Sequence, residues 1–122
     1  QRYPGPARRN PLYLALPSRG NFIAFVGNRA SAALVRTATT AFRAASAVPV
    51  RSLVARERVP GIGYSDHWSF WQVGCPALMV TDTAQFRNPH YHQPTDTPET
   101  LDFERLAQVT AGLARALPAA VW

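Results

Sequence analysis

Hydrophobic and polar positions fall into short, bounded runs along this chain. Residues 21–26 (NFIAFV) form a compact β-branched and aromatic run closed by Gly27-Asn28, which predicts a strand and a turn. Over residues 30–47 the apolar positions Leu34, Val35, Ala38, Phe42 and Ala45 recur at helical spacing with one core face. Asn28 and Ser31 are candidate caps for that helix and Pro49 its stop. Residues 50–55 (VRSLVA) predict a second strand. Ser65 is placed to cap a short helix carrying Trp68, Phe70, Trp71 and Val73, with Gly74 as a left-handed end. That helix is apolar on nearly every side, so it is expected to be buried between the sheet and the loop that follows. Residues 77–80 (ALMV) show no alternation, the pattern of a strand covered on both faces. A long loop rich in Asn, His, Tyr, Pro and Asp comes next. Asp102 then caps a final helix whose stripe is Phe103, Leu106, Val109, Leu113 and Leu117, ending before Pro118.

Residues 1–20 carry four prolines and no periodicity, an irregular lead-in whose residues 12–16 are expected to touch the core. The order strand, helix, strand, short helix, strand, loop, helix predicts an α/β layered domain. About three strands are too few for a free-standing doubly wound sheet, so they are expected to complete a larger one.

Composition changes this picture little. At 122 residues the chain is at most one domain, and 47% hydrophobic residues argue against disorder. The net charge of +6 comes entirely from arginines, scattered and without the aromatic interleaving that reads nucleic acid, so no nucleic-acid partner is expected. Most arginines precede Gly61 and every acid except Glu57 follows it, which predicts a negative, cation-attracting pocket in the second half. No apolar run approaches a membrane span. Residue 1 does not begin a signal peptide; the chain reads as a piece of a longer protein, and its compartment is left open. Cys75, the single cysteine, is expected to be a small buried filler.

Candidate chemistry concentrates in residues 61–101, which hold all three histidines. His92 sits in a loop framed by Asn88-Pro89 and Pro94, where prolines lower the entropy lost on fixing a side chain. An imidazole preset beside acids suits a divalent metal such as zinc, whereas a loop histidine taken alone is solvent-exposed and idle. His90, two residues away, would share a face with it in extended backbone. Asp66, at the first turn of the short helix, is either a dipole-favoured helix start or a carboxylate that orients a ligand or base. Asp96 is read as an Asx turn ahead of a partner for a ligand imidazole. Asp82 ends the strand and either caps the loop or faces the site.

These stretches carry a resemblance. Ser65-Asp66-His67, Phe70, Gly74-Cys75-Pro76-Ala77, Asn88-Pro89-His90-Tyr91-His92 and Asp96-Thr97 stand in the order and spacing of a family pattern. The chain resembles the C-terminal half of a family 28 metallopeptidase, a co-catalytic zinc aminopeptidase of clan MH, over nearly its whole length. The resemblance implies an incomplete portion of a three-layer α/β/α sandwich and removal of N-terminal residues from peptides at a two-zinc site. It assigns the last histidine ligand to His92 and pocket-lining roles to Gly63, Tyr64 and Tyr91. Asp66 and Asp96 are left as supporting carboxylates. The other ligands and the catalytic Glu belong upstream in the family, so no catalytic residue is expected here. The partners implied are a peptide and the N-terminal half of the domain. The isolated chain is expected to be inactive and to hold zinc weakly at most. Two alternatives stand beside this reading: a glutaminyl-cyclase-like acyltransferase, disfavoured because Tyr91 stands where those proteins tend to carry Trp, and a non-catalytic peptidase-like binding module.

Overall fold

A computed structural model describes residues 17–121 of the chain. The expectation for residues 12–16 lies outside the described residues. The elements are β1 (Ile23–Gly27), α1 (Ala32–Ala45), β2 (Val50–Val54), α2 (His67–Gln72), β3 (Leu78–Thr81), α3 (Ala84–Arg87), a 3-10 turn at Pro98–Thr100, and α4 (Phe103–Val121). The three strands form one mixed sheet in the order β2-β1-β3, with β1 parallel to β2 and antiparallel to β3.

β1 is the centre because it is the strand that is apolar on both faces. Successive side chains point to opposite sides of a sheet, and all five β1 residues are buried. Ile23 and Phe25 join a core built with Val35, Ala38 and Phe42 of α1 and Ala116 of α4. Phe22, Ala24 and Val26 join a second core with Ile62 and Trp71. Helices α1 and α4 therefore cover one face, while the 59–62 turn and one side of α2 cover the other. This is a mixed α/β arrangement of three strands and four helices; among the described residues, helical cover is thick on one face only.

Ser31 occupies the N-cap position of α1 without a side-chain cap bond, and Asn28 braces the turn before it: its Oδ1 accepts from the Ser31 backbone N–H at 2.9 Å and from the Ser31 hydroxyl at 2.8 Å. The fully buried Ser31 Oγ in turn accepts from the N–H of Ala77 at 3.1 Å, tying the start of α1 to the chain leading into β3. Asp102 caps α4 as expected, accepting from the N–H of Arg105 at 2.9 Å.

Four expectations are corrected. Trp68, Phe70 and Val73 of the α2 segment are exposed, because only the His67 and Trp71 side of this six-residue helix meets the sheet. β3 is only partly covered, with Val80 36% exposed, because it is an outer strand of the described sheet. Cys75 is exposed. The buried stripe of α4 is Val109, Gly112, Leu113 and Ala116, while Phe103, Leu106 and Leu117 face outward and the helix runs on through Pro118. Gly112 fits here because a Cβ would lie 2.8 Å from both Phe42 Cε2 and Ser46 Cβ, so glycine allows α4 to approach α1.

Candidate functional site

Two segments that are distant in sequence meet on the side of the sheet opposite α1 and α4. The first is the turn before α2. Gly61 has φ of 95°, a left-handed value that favours glycine, and buries Ile62 completely. The Ile62 carbonyl accepts from Nε2–H of His67 at 2.6 Å, which fastens the turn to the first residue of α2. Trp71, packed edge-on against His67 at 4.6 Å, donates through Nε1 to the carbonyl of Ala77 at 2.9 Å. Asp66 occupies the N-cap position without a side-chain cap bond, so its carboxylate is not spent on the helix. Gly74 ends the segment at φ of 75°, as expected.

The second segment begins at β3. Because β3 runs antiparallel to β1, with Thr81 opposite Ala24, the loop after it leaves at the end of the sheet where β1 and β2 begin. Asp82 makes the Asx cap there, its Oδ1 accepting from Ala84 N–H at 2.8 Å and starting α3. Asp96 does not: it is exposed, and among the described residues its carboxylate has no hydrogen-bond partner. Arg87, 6% exposed, anchors α3. Its guanidinium donates to the Thr83 hydroxyl at 2.6 Å and to the carbonyls of Ser18 and Pro17 at 2.8 and 2.7 Å, and lies 5.3 Å from the centre of the Phe22 ring.

From that anchor the chain turns through consecutive tight bends. Asn88 Oδ1 accepts from His90 N–H at 3.0 Å, the Asn88 carbonyl accepts from Tyr91 N–H at 3.2 Å, and the His90 carbonyl accepts from Gln93 N–H at 2.9 Å. The two histidines consequently part. His90 Nδ1 pairs with the Thr95 hydroxyl at 2.9 Å and braces the loop. His92 takes a left-handed conformation, φ 56°, and its ring stacks on Tyr91 with centroids 4.0 Å apart and planes 14° apart. The expectation that both rings share a face fails because the backbone here is turned, not extended.

Gly63, Tyr64, Ser65 and Trp68 from the first segment and Gln85, Phe86, Tyr91 and His92 from the second line one open cleft of about 670 Å³. Gly63, Tyr64, Tyr91 and His92 were expected at a common site and are brought together; Asp66 and Asp96 do not line it. No acid lines this cleft, so it is not the negative pocket with which the charge distribution is compatible. Sequence reading missed Gln85 as a lining residue because α3 was read as loop. The signal for α3 was present in Asp82, two residues ahead of the helix formers Ala84, Gln85 and Arg87.

The donor set bears on zinc. A catalytic zinc takes about three protein ligands, and among the described residues no group of three His, Cys, Asp or Glu side chains is close enough to hold a metal ion. His92 suits one coordination position: it is exposed, on the cleft, and preset by its stacking partner. The described residues do not complete a zinc site by themselves.

No solved structure is significantly similar to the chain. Among curated proteins, the chain is 42% identical over 113 residues to the "Uncharacterized protein YfbL" of Escherichia coli strain K12, covering 93% of this chain and 34% of that relative. It thus spans about a third of the relative's length. The family model described as Peptidase family M28 matches residues 11–117, which include every residue of the cleft. With nearly the whole described chain inside that match, this protein belongs to peptidase family M28.

Proposed function

We propose that this chain supplies the last metal-binding histidine, His92, and one wall of the substrate cleft to a zinc-dependent aminopeptidase. The observation that carries the reading is the exposed His92 imidazole, locked against Tyr91 and presented on an aromatic cleft in a chain of peptidase family M28. Zinc, when bound, supplies an activated water and polarises the scissile carbonyl. In this reading the remaining ligands and the catalytic Glu lie in a part of the domain outside this chain.

The chain's own residues have defined tasks in this reading. His92 donates a ring nitrogen, and the Tyr91 ring restricts the imidazole so that little side-chain freedom is lost on coordination. Gly63, Tyr64 and Tyr91 border the peptide's first side chain. The carboxylates of Asp66 and Asp96, neither spent on a local cap, are available to orient a ligand or a water across the domain. Peptide is therefore the substrate class, and the domain's other half the obligatory partner.

The test uses the full-length protein. Two zinc ions per chain by elemental analysis, hydrolysis of amino-acid 4-nitroanilides, and loss of both on His92→Ala are expected. Zinc content and hydrolysis unchanged in His92→Ala would overturn the assignment. A folded protein with neither zinc nor hydrolysis would instead favour a non-catalytic binding module.

A further inference from the structure

Trp68 is unusual among the residues of the cleft: it is a large side chain, 47% exposed, yet firmly seated. Three contacts explain the seat. A Cβ on Gly63 would lie 2.8 Å from Cδ1 of the Trp68 ring, so the indole rests against bare backbone at that position. That backbone is itself held, since the neighbouring Ile62 carbonyl receives the 2.6 Å bond from His67. The helix carrying Trp68 is fixed on its inner side by the bond from Trp71 to Ala77. The Cδ1 side of the indole is thereby used for packing, and Trp68 also lines the cleft.

The rest of the lining sets what such a wall is for. Tyr64, Phe86 and Tyr91 add three more rings, Ser65 and Gln85 are neutral, and no Asp, Glu, Lys or Arg lines the cleft. A charged side chain entering this space would lose hydration without meeting an Asp, Glu, Lys or Arg partner, which is costly. A bulky apolar side chain would gain burial against the rings and aromatic stacking.

We propose that Trp68, seated on Gly63, is the specificity-determining wall of the cleft, and that it selects peptides whose residue beside the metal-binding histidine bears a large uncharged apolar or aromatic side chain. This rests on the peptidase reading for its reaction but not for its binding preference. The fit is set by Gly63 as much as by Trp68, because adding a methyl group at position 63 displaces the ring.

Two measurements on the full-length protein separate the two ideas. In the metal-free protein with ¹⁵N-labelled tryptophan, phenylalaninamide and leucinamide are expected to shift the Trp68 indole N–H resonance, and glutamic and lysine amides to leave it in place. In the zinc-loaded protein, Trp68→Ala is expected to lower the kcat/KM ratio of Phe- over Ala-4-nitroanilide about tenfold or more, carried mainly in KM, the scale of a lost hydrophobic contact. Gly63→Ala, which keeps the indole, is expected to reduce the same ratio. Hydrolysis with a ratio indifferent to both substitutions overturns the wall. Absence of hydrolysis with intact indole shifts overturns the peptidase reading and supports the wall. Absence of indole shifts with all four amides overturns the wall whatever the activity.

Discussion

The imidazole of His92 lies nearly parallel to the phenol ring of Tyr91, 4.0 Å between centroids, on a backbone held at φ of 56°. A non-glycine residue in the left-handed region costs about 1–2 kcal/mol, and such strain concentrates at functional positions. Nothing in the loop's hydrogen bonding needs the imidazole itself. The position is therefore held against a local backbone preference, with its ring stacked on Tyr91 at the lining of the cleft.

His92→Gly is consequently expected to separate stability from function. Relief of the left-handed strain and the roughly 0.5–1 kcal/mol entropic cost of glycine nearly cancel, so the urea midpoint should change little. Zinc content should fall. A large loss of stability in His92→Gly would show instead that the ring is a packing element.

Arg87 is expected to be irreplaceable by lysine. Its fork reaches the Thr83 hydroxyl and the carbonyls of Pro17 and Ser18 together, which a single ammonium cannot reproduce. Losing one charge-assisted bond of about 1.5 kcal/mol or more should speed hydrogen exchange at the Phe86 and Asn88 amides about tenfold in Arg87→Lys. Both amides donate within the turn that Arg87 anchors, to Thr83 and Ala84 carbonyls at 3.0 and 2.8 Å. Unchanged protection would mean that the lead-in does not steady the loop.

Ser31→Ala should destabilise the fold by about 1–3 kcal/mol in urea denaturation, the cost of leaving buried polar groups unpaired. The substitution removes the acceptor for Ala77 N–H and the donor to Asn28 Oδ1. Ser31→Thr keeps the hydroxyl and adds a methyl group at a fully buried position, so it should also destabilise, by overpacking.

Glu99 has a defined pH signature. Hydrogen bonds from the Thr97 side chain and from its own backbone hold its carboxyl below the ordinary Glu range. A depressed carboxyl favours the folded state above its unfolded pKa, and that contribution disappears as pH falls through the folded value. Glu99 is fully exposed, so the effect should be visible in its own titration rather than in global stability. Thr97→Val should move the Glu99 carboxyl resonance midpoint upward; an unmoved midpoint would remove Thr97 as the cause.

Much of the scaffold could be read without coordinates because its signals are local. The run around β1, the 3.6-residue spacing of Val35, Ala38 and Phe42, the left-handed end at Gly74 and the Asp102 cap each depend on residues within a turn or two. Where burial was misread, as at Trp68, Phe70 and Phe103, a distant segment decided. Asp82 and Asp96 are both loop carboxylates in sequence, yet only Asp82 stands where a strand ends and a helix N–H is waiting.

By itself the sequence determined the order of the three strands and of α1, α2 and α4, and the family, because propensities, caps and motif spacing act over short stretches of chain. Tertiary structure alone decided that Trp71 is buried while Trp68 stays half-exposed, that His90 is consumed by Thr95, and that Ser65 and Gln85 join the lining of the cleft. Burial and pairing depend on which remote surface arrives at a side chain, and the antiparallel turn of β3 against β1 sets that arrival here.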